Sequence, residues 1–296
     1  MSSEPHTPLS LVKLTQSYFT GKGLASPRVD AEILLAHVLG CKRLDLYLRH
    51  DEPLLDEQVA RFREFVRRRA AGEPVQHLTG EQEFYALTLQ VGKGALIPRP
   101  ETEILVETIF KTVAPEGDGR PWRVCELGTG TGAIAIALAK GWPKATVQAV
   151  DLSFDALETA KGNVAYHSLA ERVKLLQGDL FEPVHDLGEA FDLVVSNPPY
   201  VSASELPDLD PEVRDYEPRL ALDGGTDGLD VIRAIARQAP SYLKVGGWLF
   251  LEIGGSQGEA VQQLLQRAGV YEEVRILQDL AGRPRVAGAR KPPASL

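Results

Sequence analysis

Asn197-Pro198-Pro199-Tyr200 is a stretch whose residue types suit one kind of chemistry. Proline has no backbone N–H and a fixed φ. Two in succession leave backbone carbonyls without local amide donors and make the turn rigid. The Asn197 side-chain oxygen and the Pro198 carbonyl form a pair of acceptors that suits a planar –NH2 group, and the Tyr200 ring can stack on a flat substrate. An amide or aromatic amine nitrogen is a poor nucleophile because its lone pair is delocalised. Two acceptors pulling on its hydrogens localise that pair. Their hydrogen bonds strengthen as positive charge grows on nitrogen, so the binding is realised in the transition state. The chemistry indicated is methyl transfer to a conjugated nitrogen, with Asn197 and Pro198 catalytic and Asn197, Pro198, Pro199 and Tyr200 binding substrate.

A second constellation would hold the methyl donor. Val124 to Leu127 is an apolar run containing Glu126, and Gly128-Thr129-Gly130-Thr131-Gly132 follows, then an Ala/Ile/Leu run to Ala139. This reads as strand, tight turn and helix, the cradle of a nucleotide-like cofactor. Glycine permits the turn's dihedrals and a close backbone approach to ligand. Gly128-x-Gly130-x-x-Ala133 also satisfies the dinucleotide fingerprint, and Asp151 can accept ribose hydroxyls in either class. The turn alone therefore leaves a nicotinamide cofactor and S-adenosylmethionine both open. Glu126 favours the latter, because a carboxylate repels a diphosphate and attracts an ammonium or sulfonium. Asp179 stands where an adenine amine would be met, and Leu180 and Phe181 offer an apolar face, although Phe181 equally suits the core. Asn197 follows a central strand across from the cradle and counts toward the cofactor site as well.

The elements that position these residues fall into two regions. Leu9–Phe19, a run from Ser26-Pro27 to Leu39, Leu44–Leu48 and Asp56–Ala71 read as helices of a small N-terminal domain, residues 1–75, with 1–8 as a frayed tail. The last of these helices carries Arg61, Arg63, Arg67, Arg68 and Arg69, which suit either a solvated face or a docking surface for an acidic or ribonucleoprotein-associated partner. Residues 76–100 change to strand periodicity and read as a bridging hairpin. Residues 101–296 carry strands at Arg123–Leu127, Thr146–Asp151, Val173–Gln177, Phe191–Ser196, Trp248–Ile253 and Val274–Leu277, separated mostly by helices. That is the rhythm of an open parallel sheet. Ala114 to Pro121 reads as a polar connection, 201–227 as a long lid or binding loop, Leu229–Leu243 as helix, and 279–290 as a turn with a last edge strand.

Composition narrows the partners. The 296 residues carry 41 Asp and Glu against 32 Lys and Arg, a net charge of −9. No long basic tract is present, which disfavours a stable nucleic-acid partner. Cys41 and Cys125 are far apart and lack CxxC or histidine neighbours, so neither a disulfide scaffold nor a metal site is indicated. No secretory signal and no apolar run of about 18 residues is seen, so no membrane association and a cytoplasmic location are expected.

Taken together, these stretches resemble the peptide chain release factor N5-glutamine methyltransferases. The resemblance rests on Asp30-Ala31-Glu32, Gly72-Glu73-Pro74-Val75-Gln76, Leu96–Glu103, Glu126–Gly132, Val195–Tyr200, Tyr216–Arg219 with Ala221–Gly225, Asp227-Gly228-Leu229, and Leu251–Gly254 with Gln257. It implies an α/β class I methyltransferase fold, Rossmann-like with a mostly parallel seven-stranded sheet, behind a small helical substrate-recognition domain and a β-hairpin. It implies S-adenosyl-L-methionine as cofactor, S-adenosyl-L-homocysteine as product, no metal, and the glutamine of the Gly-Gly-Gln motif of class 1 release factors as substrate. Carried over, Glu126, Gly128 to Gly132, Asp151, Asp179, Leu180, Phe181 and Asn197 would border the cofactor, and Asn197 to Tyr200 would bind the glutamine amide. Leu180 stands where many members carry an aromatic residue, and Phe181 is then the ring available beside it. Asn-Pro-Pro-Tyr is shared with adenine-N6 nucleic-acid methyltransferases, which are the alternative reading.

Overall fold

In the computed structural model, which describes residues 6–114, 118–188 and 190–292, the chain divides between Glu81 and Gln82. One unit holds the described residues up to Glu81 together with Pro211–Tyr216; the other holds Gln82–Asp210 and the described residues from Glu217 on. The long loop expected over 201–227 is thus split. Its middle, including the short helix Pro211–Arg214, groups with the helical unit, and its flanks group with the sheet unit.

The helical unit is built from α1 (Pro8–Gly21), α2 (Pro27–Leu39), α3 (Asp45–Leu48), α4 (Asp56–Ala70) and α5 (Val75–Thr79). Of the tail expected to fray, residues 1–5 lie outside the described residues. Thr7 caps α1: its hydroxyl accepts from Ser10 N, and Ser10 Oγ accepts from Thr7 N at 2.9 Å. Gly40 ends α2 in the left-handed region that favours glycine. Phe19, Leu34, Leu35, Val59 and Phe62 form the apolar centre. Residues 75–79 are helical, so the change of period comes after Gly80 and not at 76.

An ion cluster ties this unit together. Arg69, 5% exposed, reaches Asp30 at 2.7 Å and Glu212 at 2.6 Å, and donates to the Glu73 carbonyl at 3.1 Å. Burial pushes the Asp30 carboxyl up from its ordinary value, against the pull of Arg69. Arg68 forms a two-pronged pair with Glu73, and Arg67 pairs with Glu64. Arg63 contacts the His6 ring nitrogen at 3.2 Å, so four of the five arginines weighed as a docking face are engaged within their own unit.

The second unit begins one residue into the hairpin of β1 (Glu81–Phe84) and β2 (Leu87–Gln90). Its two turn residues, Tyr85 and Ala86, lie at φ 49 and 58, the positive angles that a two-residue hairpin turn needs. Buried Asn163 bonds both backbone groups of Gln90, at 2.7 and 2.9 Å, and the Thr131 carbonyl at 2.9 Å. The hairpin is thereby fastened to the sheet unit.

The sheet contains β3 (Arg123–Leu127), β4 (Thr146–Asp151), β5 (Val173–Gln177), β6 (Phe191–Ser196), β7 (Leu243–Glu252), β8 (Glu272–Gln278) and β9 (Pro284–Arg290), in the order β5-β4-β3-β6-β7-β9-β8. The first five in that order run parallel, and β9 pairs antiparallel with both β7 and β8. The final strand is thus interior, with β8 at the edge; an antiparallel return lets it insert between β7 and β8. The helix expected to reach Leu243 ends at Gln238, because Pro240 lacks the N–H to continue it, and β7 starts five residues before Trp248. The connection expected over Ala114–Pro121 includes residues 115–117, outside the described residues.

Successive residues of β3 feed opposite faces: Val124 joins a cluster with Leu105, Ile134 and Leu138, and Cys125 and Leu127 join one with Ile232, Val261 and Leu265. Helices α6 (Pro100–Thr112), α7 (Ala133–Gly141) and α8 (Phe154–Tyr166) supply the first cluster, and α9 (Asp230–Gln238) and α10 (Gly258–Arg267) the second. Coverage on both faces explains why these strands read as continuous apolar runs.

Arg69→Met should lower the stability of the helical unit by about 3 kcal/mol, because it leaves Asp30 buried without its cation. Adding Asp30→Leu should recover most of that loss, and urea denaturation of both variants checks it.

Candidate active site

Strand order reverses on either side of β3: β4 and β5 extend to one side, β6 and β7 to the other. The crevice at the carboxyl ends of β3 and β6 is the switch point where open α/β sheets bind ligands. A cavity of about 310 Å³ occupies it.

The glycine turn forms one wall. Gly128, Gly130 and Gly132 sit at φ 71, 57 and 82, in the region where side chains are strained. Gly128 N and Thr129 N both donate to the Val150 carbonyl, at 2.8 and 3.0 Å. Gly130 N donates to Asp151 Oδ2 at 2.8 Å, and Ser153 N to Asp151 Oδ1 at 2.9 Å. Asp151 thus holds the turn while facing the cavity. Burial raises its carboxyl, and the backbone amides of Gly130, Ser153 and Leu152 oppose the rise.

Glu126 lies beneath the turn with no exposed surface. Its Oε2 accepts from Thr129 Oγ1 at 2.7 Å and Ala135 N at 3.1 Å, whereas Oε1 has no partner. Burial pushes this carboxyl up to about 8; Thr129 and Ala135 pull it down, and Asp151 pushes it further up. An unpartnered carboxylate oxygen in the cavity wall, beside Asp151, fits a cationic, hydroxyl-bearing ligand and opposes a diphosphate.

After β5 the chain turns through Gly178, Asp179 and Leu180, all in the cavity wall. Asp179 is exposed, and Leu180 takes φ 47, strained for a leucine at the ligand wall. Phe181 departs from expectation. It is fully buried and stacks on Tyr242 with centroids 4.3 Å apart, on the core side of the turn. The apolar contact on this wall therefore falls to Leu180, with Leu152 and Ala156 also present.

The Asn197–Tyr200 turn forms the facing wall through Asn197, Pro198 and Pro199. Asn197 Nδ2 donates to Thr102 Oγ1 at 3.1 Å, which leaves Oδ1 free to accept. Ser196 Oγ bonds the Leu127 carbonyl at 2.7 Å and ties the ends of β6 and β3 together. Tyr200 also departs from expectation: its ring is not in the cavity wall. Its hydroxyl donates to Glu252 Oε1 at 3.2 Å, and its carbonyl accepts from Gln257 Nε2 at 2.9 Å. Tyr200 anchors the turn from behind. A Cβ on Gly228 would lie 2.3 Å from that carbonyl, so the anchor also requires glycine there.

Glu252, also without exposed surface, is pushed up to about 7 by burial, against the hydroxyls of Thr102 and Tyr200 and the charge of Arg285; Glu101 raises it.

Several wall residues were missed as site residues in the sequence. Lys93, Gly94, Ala95, Leu96 and Pro98 follow the hairpin and close the cavity, as do Thr102, Leu220, Ala221 and Val231. Gly94 was a usable signal: a Cβ there would come within 2.7 Å of Asp155 Cβ. Glu217 pins this segment by accepting from Ile97 N at 3.2 Å and from Arg99. Among the described residues no cluster of three or more His, Cys, Asp or Glu could hold a metal, and no helix is long and apolar enough to cross a membrane.

Two family models match the chain: the PrmC N-terminal domain over residues 10–80 and the methyltransferase small domain over residues 100–209. The chain is 43% identical over 288 residues to the release factor glutamine methyltransferase of Rhodopirellula baltica, covering 97% of each chain. It is 44% identical over 276 residues to that of Geobacter sulfurreducens, covering 93% of this chain and 94% of the relative. A methyltransferase structure from Pyrococcus furiosus superposes with a TM-score of 0.52 at 17% identity, covering 70% of this chain and 90% of the other, a likeness of fold. With identity of this level sustained along nearly its whole length, the chain belongs to the release factor glutamine methyltransferase family.

Proposed function

We propose that the protein transfers a methyl group from S-adenosyl-L-methionine to the side-chain amide N5 of the glutamine in the Gly-Gly-Gln motif of class 1 peptide chain release factors, with S-adenosyl-L-homocysteine as the other product. The observation that carries this reading is the Asn197 amide. Its NH2 donates to Thr102, and Asn197 and Pro198 line the same cavity as the glycine turn, which supports reading the Asn197 oxygen and the Pro198 carbonyl as the acceptor pair.

Bound there, S-adenosyl-L-methionine supplies an electrophilic methyl on a sulfonium. The glycine turn, from Gly128 through Thr129, Gly130 and Thr131 to Gly132, admits its backbone-close approach. Asp151 accepts from the ribose hydroxyls, Glu126 faces the cationic amino acid end, and Asp179 accepts from the adenine amine beside Leu180. Asn197 and Pro198 draw on the two amide hydrogens of the glutamine and aim its nitrogen lone pair. The proton that leaves nitrogen after transfer passes to water, so no strong base is required. Holding donor and acceptor in line supplies much of the remaining acceleration. We assign recognition of the folded substrate to the helical unit. The free thiols of Cys41 and Cys125 are in keeping with work in a reducing cytoplasm.

A methyl-transfer assay tests the reading. Unmethylated release factor should gain one methyl at the tip glutamine by mass, and a glutamine-to-alanine factor none. Asn197→Ala should lower kcat by about 100-fold, with cofactor affinity within about threefold. Methyl incorporation only into an adenine-containing DNA duplex run beside it would overturn the substrate and favour the nucleic-acid alternative.

Glu126 adds a pH dependence. Its folded value of about 8 lies above the ordinary value of 4.5, so below that pH the buried carboxyl holds a proton that a cation must displace. Cofactor affinity should therefore rise with pH between about 5.5 and 7, below the range in which an α-amino group deprotonates, by up to about tenfold per unit. Glu126→Gln should flatten the slope. Calorimetric titration checks both, and a flat wild-type profile would remove Glu126 from the cofactor site.

A further inference from the structure

Gln257 is a buried side-chain amide between β7 and α10 that lies outside the cavity wall and that no step of the transfer uses. Its Oε1 accepts from Gly254 N at 2.9 Å. Its Nε2 donates to the Tyr200 carbonyl at 2.9 Å and to the Gly228 carbonyl at 3.2 Å. All three partners are backbone groups, which either donate or accept and never both, so the amide has a single orientation. Val201 N donates to the Leu222 carbonyl at 2.9 Å, and Gly224 N to the Val201 carbonyl at 2.8 Å. The chain leaving the Asn197–Tyr200 turn therefore pairs with the loop that leads to Gly228, and Gln257 fastens that pair to the turn after β7.

We propose that Gln257 is a positioning residue that fixes the exit of the Asn197–Tyr200 turn and thereby aims the Pro198 carbonyl at the substrate amide. The inference rests on the methyl-transfer reading above and deepens it. The rings of Pro198 and Pro199 fix φ at two successive residues, so the turn has little freedom to adjust between its ends. Its entry is held where Ser196 Oγ bonds the Leu127 carbonyl at 2.7 Å. Its exit is held where Gln257 takes the Tyr200 carbonyl. A stiff segment carries the displacement of one end to its middle, and the Pro198 carbonyl moves with it. A misplacement of about 1 Å at reacting groups can cost about 100-fold in rate. Because Gln257 stands behind the substrate turn and not against the glycine turn, its loss falls on turnover and spares cofactor binding.

Gly228 probes the same contact from the other side. It sits at φ 76, and a Cβ there would press on the Tyr200 carbonyl oxygen and come within 2.7 Å of Gln257 Nε2. Gln257→Met and Gln257→Glu keep the length of the side chain. The first removes all three bonds, and the second exchanges the NH2 donor for a carboxyl facing two carbonyls. With release factor as substrate, each should lower kcat at least about 10-fold. KM and cofactor affinity should stay within about threefold, the split expected of an interaction that serves the transition state. Gly228→Ala should lower kcat in the same way. Combined with Gln257→Met it should cost no more than about a further threefold, because both variants displace one carbonyl.

If wild type leaves release factor unmethylated, the functional reading fails and this one falls with it. If wild type works and a folded Gln257 variant keeps its kcat, or loses cofactor affinity as steeply as turnover, the positioning role is overturned. It is overturned as well if the losses from Gln257→Met and Gly228→Ala multiply. Should Gln257→Met not fold, Gln257→Glu takes its place in the cycle with the same outcomes.

Discussion

The parallel register of β3 and β6 is the constraint on which the rest of the site depends. Leu127 pairs with Ser196, and the Ser196 hydroxyl fastens to the Leu127 carbonyl at 2.7 Å. The next residues on the two strands, Gly128 and Asn197, leave the sheet side by side at the same end. Crossover helices bury both sheet faces, so neither strand can slip without moving its apolar residues out of their clusters. A methyl donor held after β3 and an amide held after β6 are thereby brought together by the fold itself.

Within that frame, two wholly buried glutamates set the polarity of the cavity. Each costs stability to ionise, and each has one oxygen satisfied and the other without a partner. Glu126 lies under the cofactor turn and lines the cavity, one of its oxygens unpartnered. Glu252 lies behind the substrate turn and accepts from the Tyr200 hydroxyl. Both are positions where a neutral or apolar residue would make the interior more stable, so their presence is best understood through ligand binding and transfer.

Much of this was legible before the structure. The apolar runs of β3, β4 and β6, each followed by its turn, are the local signals of a doubly covered parallel sheet, and the glycines need their positive φ whatever surrounds them. The chemistry of Asn197 and Pro198 follows from atom types alone. What failed required knowledge of partners distant in sequence. Tyr200 and Phe181 are amphipathic or apolar rings beside functional residues, and nothing local says which way they turn; Glu252 claims the first and Tyr242 the second. The wall at Lys93–Pro98 is formed by a segment whose fixing residue, Glu217, lies more than a hundred positions away. The interior place of β9 depends on strand order, which hydrophobic periodicity does not encode.

The central claim is that Asn197 and Pro198 recognise an –NH2 group by accepting from it. Competition by a release factor with its tip glutamine replaced by glutamate tests this directly, because the replacement keeps the shape and exchanges two donors for an acceptor. The account predicts that the glutamate factor inhibits methylation of normal factor with an inhibition constant at least about 100-fold above the KM of the glutamine factor. Inhibition by the glutamate factor as strong as the KM of the glutamine factor would contradict it.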